Sequence, residues 1–244
     1  WVDARLAGGV RLHAVLAPVA PGGTCLSLRV ARSRVFTLEE LARASSVPPD
    51  GAELLAALVR SRVAFLVTGG TGTGKTTLLS ALLSLVPEGD RVLLVEGAGA
   101  VTLRDLVRQA LRMRPDRVVV GEVRGAEVVD LLAALNTGHE GGCGTLHANS
   151  AADVPARLEA LASAAGLDRA ALHSQLASGL RLAVHLCRDP DGGRRRVAEV
   201  CVLVRGADGL VRAERAWGWD GRAPHGVHGP GWDRLVELLG PSWG

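Results

Sequence analysis

The stretch Leu66–Leu79, LVTGGTGTGKTTLL, decides the fold and holds the chain's only lysine, Lys75. All 27 other basic side chains are arginine. Lysine is a compact point charge with rotatable donors, whereas arginine is a flat, bulky fork. One ammonium kept in an arginine background predicts a cavity that admits only the smaller cation. Its neighbours say what that cavity holds. Gly69-Gly70-Thr71-Gly72-Thr73-Gly74-Lys75-Thr76 satisfies G-x-x-x-x-G-K-[ST], the spacing of a phosphate-binding loop. Glycines let backbone N–H groups curl around a phosphate without Cβ clashes. A helix that follows points its unpaired N–H groups and positive dipole end at the same anion. In this pattern Lys75 reaches the β- and γ-phosphates of a nucleoside triphosphate, the Thr76 hydroxyl holds Mg²⁺, and Thr77 counts with the loop as a nucleotide contact. Val63–Val67 predicts a buried strand entering the loop, and Thr77–Leu85 an apolar helix leaving it.

Outward from the loop, the totals describe a folded chain. At 244 residues there is length for one large or two small domains, and 48% hydrophobic with 22% charged residues excludes disorder. No apolar run reaches the about 18–20 residues of a membrane span, and no signal peptide opens the chain. Cys25, Cys143, Cys187 and Cys201 form no C-x-x-C pair, which argues against structural zinc and for reduced cytosolic thiols. A net charge of +3 permits contact with nucleic acid or anionic lipid without demanding it.

Residues 1–36 read as short strands: VDARL, a turn at Ala7-Gly8-Gly9, VRLHAVL, then TCLSLRV. They predict the C-terminal part of an N-terminal α+β domain. Residues 37–60 follow as a helical linker, LEELARA and GAELLAALVRS, broken at Pro48-Pro49. Strands at Arg91–Glu96, Arg117–Glu122 and Gly144–Ala148 alternate with helices at Thr102–Met113 and Gly125–Leu135. Such alternation predicts a parallel sheet covered on both faces. Thr102 should cap its helix, with Asp105 completing the cap. Further helices start near Asp153 and Asp168, after which LAVHLC, VAEVCVLV and LVRAERAW read as an antiparallel meander. The nucleotide domain is set at 61–213. A Gly/Trp-rich tail with a short helix, Trp232–Leu239, fills 214–244.

Hydrolysis needs a carboxylate at the end of a neighbouring buried strand, to hold the Mg²⁺ water shell or polarise the attacking water. Glu122, ending RVVVGE, is the better candidate, and Glu96, ending RVLLVE, the second. His147, after the GTL strand, could report the γ-phosphate through an imidazole hydrogen bond. His139 ranks lower. His225 and His228 have ligand spacing but no further ligand, and read as solvated loop. Arginines 104, 108, 112, 114, 117 and 124 bracket these strands; most read as a solvated face, though a ring could use some in trans.

GGTGTGKTTLL, TLRDLVRQALRMRPDRVVVGEVRG and NTGHEGGCGTLHANS together resemble the secretion ATPases of type II and type IV systems, most of all the tight-adherence (Tad) pilus assembly branch. The resemblance spans roughly residues 2–205. It implies an α/β, RecA-like P-loop NTPase core with a partial N-terminal domain and a C-terminal meander. It also implies a cytoplasmic hexameric ring, peripheral to the inner membrane, that hydrolyses ATP with Mg²⁺ at subunit interfaces and drives assembly through a membrane platform protein. GEVRG places the family's Walker B glutamate at Glu122, as a Mg²⁺ ligand with Thr76. GHEGGCGTLHA places its histidine box at His139 and His147. LSLRV resembles the segment that lends an arginine to the γ-phosphate, which is Arg29 here.

Two departures accompany the resemblance. The family's aspartate box, whose second glutamate is the usual water-activating base, is missing: Glu96 runs straight into Gly97-Ala98-Gly99-Ala100. A true deletion would leave a chain that binds nucleotide but turns over slowly or not at all. The favoured expectation is a mobile loop over which the numbering has closed. The tetracysteine zinc module of many type II members is also absent, which favours the Tad or type IV side. The expected function is an ATP-hydrolysing motor for pilus assembly or secretion. A RecA-like nucleic-acid translocase and a non-hydrolysing nucleotide-binding regulator are the alternatives, nucleic acid being the less expected partner.

Overall fold

The computed structural model describes residues 1–30, 34–97, 101–138, 141–189, 193–240 and 243. The chain divides into two units, Trp1–Val35 and Phe36–Gly244. In the first, β1 (Val2–Arg5), β2 (Arg11–Val15) and β3 (Cys25–Arg29) form an antiparallel sheet in that order. The register pairs Leu12 with Ala4 and Leu28, and His13 with Asp3 and Ser27. Strand alternation therefore sorts apolar side chains onto one face and polar ones onto the other.

The second unit begins with α1 (Leu38–Arg43), α2 (Pro49–Arg60), β4 (Phe65–Gly69) and α3 (Lys75–Leu83). Then come β5 (Val92–Val95), α4 (Leu103–Arg112), β6 (Arg117–Val123), α5 (Glu127–Leu135) and β7 (Cys143–Leu146). Two helices, α6 (Val154–Ala164) and α7 (Arg169–Gly179), lead into β8 (Leu182–Arg188), β9 (Arg195–Arg205) and β10 (Val211–Gly218). β11 (Val227–His228) and α8 (Trp232–Leu239) complete it. The strands make one sheet, ordered β11-β10-β9-β8-β4-β7-β6-β5. From β8 to β5 neighbours run parallel, and β9, β10 and β11 add on antiparallel. Among the described residues no helix is long and apolar enough to cross a membrane.

The fold is a mixed α/β core with helices on both faces. Phe65 and Val67 join Leu54, Leu58, Leu79 and Leu82 on one face; Leu66, Val118 and Val120 join Leu131, Leu132 and Leu158 on the other. Strands buried on both sides carry continuous apolar runs, which is why RVVVGE and FLVTG lack alternation. Thr102 caps α4 as expected, its Oγ1 accepting from the Asp105 N–H at 3.1 Å.

The sequence boundaries at 60 and 213 do not mark breaks in this unit. Leu54, Leu55 and Leu58 of α2 are at most 1% exposed, and β10 runs straight across residue 213. Trp217, from the Gly/Trp-rich tail, is 1% exposed and donates its Nε1–H to Asp50 Oδ2 at 2.9 Å. The same oxygen accepts the Gly226 N–H at 2.9 Å. A Cβ at Gly51 would sit 2.7 Å from the Trp217 ring, so the glycine is what lets the indole approach α2. His228 does not reach a metal set but stacks on Trp232, ring centroids 3.5 Å apart.

Three of the bracketing arginines are held by carboxylates of the fold. Arg104 and Arg108 on α4 both donate to Asp130 of α5, each at 2.7 Å. Arg117, 2% exposed, pairs with Asp90 at 2.9 Å, and Asp90 also holds Arg62. Removing one partner of a buried ion pair strands the other charge in a poorly solvating interior. Arg117→Ala is accordingly expected to cost about 3 kcal/mol of stability, read as a shift in the denaturation midpoint at unchanged slope. A shift no larger than that of an exposed arginine would show that the pair holds nothing together.

Candidate nucleotide-binding site

β4, a central strand of the buried sheet, delivers the loop at its C-terminal end. Gly69 has φ 145° and no room for a side chain: a Cβ there would lie 2.5 Å from the Leu186 carbonyl oxygen. Gly74 opens α3 in the left-handed region, φ 98°, without a side-chain cap. The first N–H groups of α3 are thus left for an anion. Thr73 braces the turn by donating its hydroxyl to the Gly70 carbonyl at 2.9 Å.

Lys75 folds back into this cradle and is 7% exposed. Its Nζ donates to the carbonyls of Gly69 at 2.9 Å and Gly70 at 2.8 Å, and stands 3.5 Å from His147 Nδ1. Three short reaches from one atom suit an ammonium and not a planar fork. Burial pulls the Lys75 pKa below its ordinary value, against the opposing pull of Glu122.

Glu122 stands two strands away. It accepts from His147 Nε2 at 2.9 Å and pairs with Arg124 through its other oxygen. Burial raises the Glu122 pKa, but the Arg124 hydrogen bond and charge, with His147 and Lys75 behind them, hold it below its ordinary value. An ammonium can only donate and a carboxylate only accept, so a neutral imidazole bridging the two would accept at Nδ1 and donate from Nε2. Lys75, His147 and Glu122 therefore form one chain from the loop to the carboxylate.

A bulge places that carboxylate. β6 advances three residues, Val120 to Val123, while β7 advances two, Gly144 to Leu146. The extra residue turns Glu122 off the ladder, as bulges beside active sites do. Gly144 lets the strands close, since a Cβ would lie 2.7 Å from the Val120 carbonyl oxygen. Thr145 fixes the bulge by donating to the Gly121 carbonyl at 2.6 Å. Beyond it, the buried Glu127 carboxylate accepts the N–H groups of Arg124 and Gly125 at 2.5 and 2.9 Å. The glycine inside RVVVGE was the available signal for the bulge. Nothing local marked Thr145 or Glu127.

Glu96 lies exposed at the end of β5, its Cγ 2.9 Å from where a Gly121 Cβ would stand. It shares the strand-end rim with Glu122. Thr76 and Thr77 occupy the first turn of α3 beside Lys75, with Thr76 exposed. Thr71 and Gly72 are exposed at the loop tip. Arg29 belongs to the smaller unit, on the polar face of β3, in a pocket it shares with Asp3, Arg11, His13 and Ser27. His139 lies outside the described residues. No cluster of three or more His, Cys, Asp or Glu able to hold a metal occurs among the described residues. The oxygen donors on offer are a threonine hydroxyl and a carboxylate, a hard set that suits Mg²⁺ shared with phosphates.

A glycine cradle on a central strand, a buried lysine and a carboxylate on a parallel neighbour define a RecA-like nucleotide-binding core. The comparisons agree. The family described as "Type II/IV secretion system protein" matches residues 1–208, and this chain belongs to it. A putative conjugal transfer protein of Mycobacterium tuberculosis is 55% identical over 246 residues, covering 89% of this chain and 69% of the relative. The crystal structure of the VirB11 ATPase from the Brucella suis type IV secretion system is similar at 26% identity and TM-score 0.56, over 82% of this chain and 73% of that one. The pilus retraction motor PilT, solved with bound ADP, shares the fold at TM-score 0.63 and 24% identity, over 85% of this chain and 65% of that one.

The mycobacterial alignment also bears on chain length. Its 246 residues take in 89% of the 244 here, about 217, so about 29 positions of the relative have no counterpart in this chain. The full sequence passes from Glu96 to Gly97 without interruption. This corrects the expectation of a loop hidden by numbering: the sequence is continuous there.

Proposed function

We propose that this chain is an ATP-hydrolysing motor subunit of a type IV secretion or pilus-assembly machine. The carrying observation is the Lys75–His147–Glu122 chain, which links the phosphate cradle to a strand-end carboxylate in a member of the secretion family. Lys75 and the loop amides of Gly69–Thr77 neutralise the phosphates, and Thr76 and Glu122 would hold Mg²⁺. When bound, that ion supplies charge stabilisation at the β- and γ-oxygens. His147 positions Glu122 and senses whether Lys75 is engaged by a phosphate. The family resemblance is what assigns Arg29 to the γ-phosphate, and Glu96 orients the attacking water. The assembly is a cytoplasmic homo-hexameric ring on the inner membrane, docked on a platform protein. Of the known branches, the Tad pilus systems fit best.

The missing aspartate box favours a second reading, a nucleotide-binding regulator that does not hydrolyse. Mg²⁺-dependent phosphate release from ATP by the purified protein separates the two. Steady turnover that stops on chelation is the motor result. Tight ATP binding with no phosphate release above background selects the regulator. Stimulation by single- or double-stranded DNA, lost steeply with salt, would point instead to a translocase.

A further inference from the structure

The loop has a second flank, away from Glu122 and His147, that no motif marks. β4 carries the loop between β7 and β6 on one side and β8 on the other. Leu186 of β8 packs there, its Cδ2 3.9 Å from where a Gly74 Cβ would stand. β9 returns antiparallel to β8 and starts with Arg195 opposite Arg188. Three arginines in a row occupy this turn, and they divide. Arg194 and Arg196 both hold Asp189, and they donate to the carbonyls of Gly221 and Trp219 respectively. Strand alternation sends Arg195 the other way, to the face on which Val197 enters the core with Leu79 and Leu82 of α3. Its Cδ lies 3.6 Å from the Gly74 Cβ position, at the mouth of α3. The side chain is exposed, and its guanidinium makes no hydrogen bond among the described residues.

We propose that Arg195 is a nucleotide-binding residue that takes the α-phosphate, the one common to ATP and ADP. The inference rests on reading the loop as an ATP site. Lys75, His147 and Glu122 set the γ-phosphate end on the β7–β6 side, so the β8–β9 side faces the nucleoside end of the chain. A guanidinium beside the uncapped N–H groups of α3 adds a full charge to dipoles already aimed at the phosphates. The open flank has room for a flat fork that can take two oxygens, whereas the closed cradle has room only for an ammonium. The two cations thus divide the polyphosphate between them by shape.

Titration of ADP and ATP into the wild-type chain and into Arg195→Ala and Arg195→Lys, with heat or a fluorescent analogue as readout, tests this. Arg195→Ala is expected to weaken both nucleotides alike by about tenfold, the worth of one charge-assisted contact. Arg195→Lys should fall between. An exposed side chain predicts unchanged thermal midpoints without nucleotide, which excludes misfolding as the cause. Equal ADP affinity in wild type and Arg195→Ala would overturn the proposal. Loss confined to ATP would overturn it too, by placing Arg195 at the γ-phosphate. A wild-type chain that binds neither nucleotide would instead bring down the ATP-site reading on which it stands.

Discussion

Lys75→Ala is expected to weaken ATP binding at least about 100-fold and to remove turnover with it, because two or more charge-assisted contacts to phosphate vanish together. The variant should still fold. Burial sets the folded-state pKa of Lys75 below its ordinary value, so the charged form is the one the fold disfavours. Removing that charge relieves desolvation and costs the bonds to the Gly69 and Gly70 carbonyls and the approach to His147 Nδ1. Linkage has a definite sign here: with the folded value depressed, this group's contribution to stability rises with pH through the alkaline range, and Lys75→Ala flattens that slope. Lys75→Arg is the sharper variant. It keeps the charge and replaces a point by a fork, and it should bind almost as poorly as alanine. Wild-type affinity in Lys75→Arg would refute the argument from size, and with it the explanation for the chain's one lysine.

Glu122→Gln should behave in the opposite way, retaining ATP and losing phosphate release by about 10²–10⁴-fold. The amide preserves the shape and keeps an acceptor toward His147 Nε2, which holds the imidazole in place. It removes the charge that pairs with Arg124. Arg124 and its neighbours keep the Glu122 carboxyl below its ordinary 4.5 in spite of burial, so the group remains ionised throughout the neutral range. A fall in wild-type rate between pH 7 and 6 must therefore come from another group. Single-turnover measurement with bound ATP distinguishes a loss of chemistry from a loss of affinity. Undiminished release in Glu122→Gln would move the role to Glu96, its neighbour on the strand-end rim.

The cradle was legible because its chemistry is local: eight consecutive residues dictate φ, donors and charge. The strand–helix alternation was legible for the same reason, each element being specified by its own period and cap, as Thr102 specifies α4. What escaped were arrangements joined across the chain. Arg117 read as one more arginine at a strand entry, and its burial depends on Asp90, which arrives from a loop 27 positions earlier. Asp50 and Trp217 are separated by 167 positions, so residues 37–60 and 214–244 looked peripheral while supplying the interior. Arg195 was hidden inside a run of three arginines, and only strand alternation shows that it parts company with its neighbours. The bulge at Gly121-Glu122 needed the β7 register to be seen. The segment missing after Glu96 was visible only as an absence against the pattern that the family resemblance implies.

Trp217 also sets an order of events at the ribosome. The indole that fills the space above α2 and accepts anchorage from Asp50 leaves the exit tunnel long after the phosphate cradle does. Until it and α8 emerge, the apolar faces of Leu54, Leu55 and Leu58 have lost their cover, and nascent chains of this kind are open to wrong association. The nucleotide strand is made early but settles late, and a message cut short before Trp217 would yield a product destined for proteolysis.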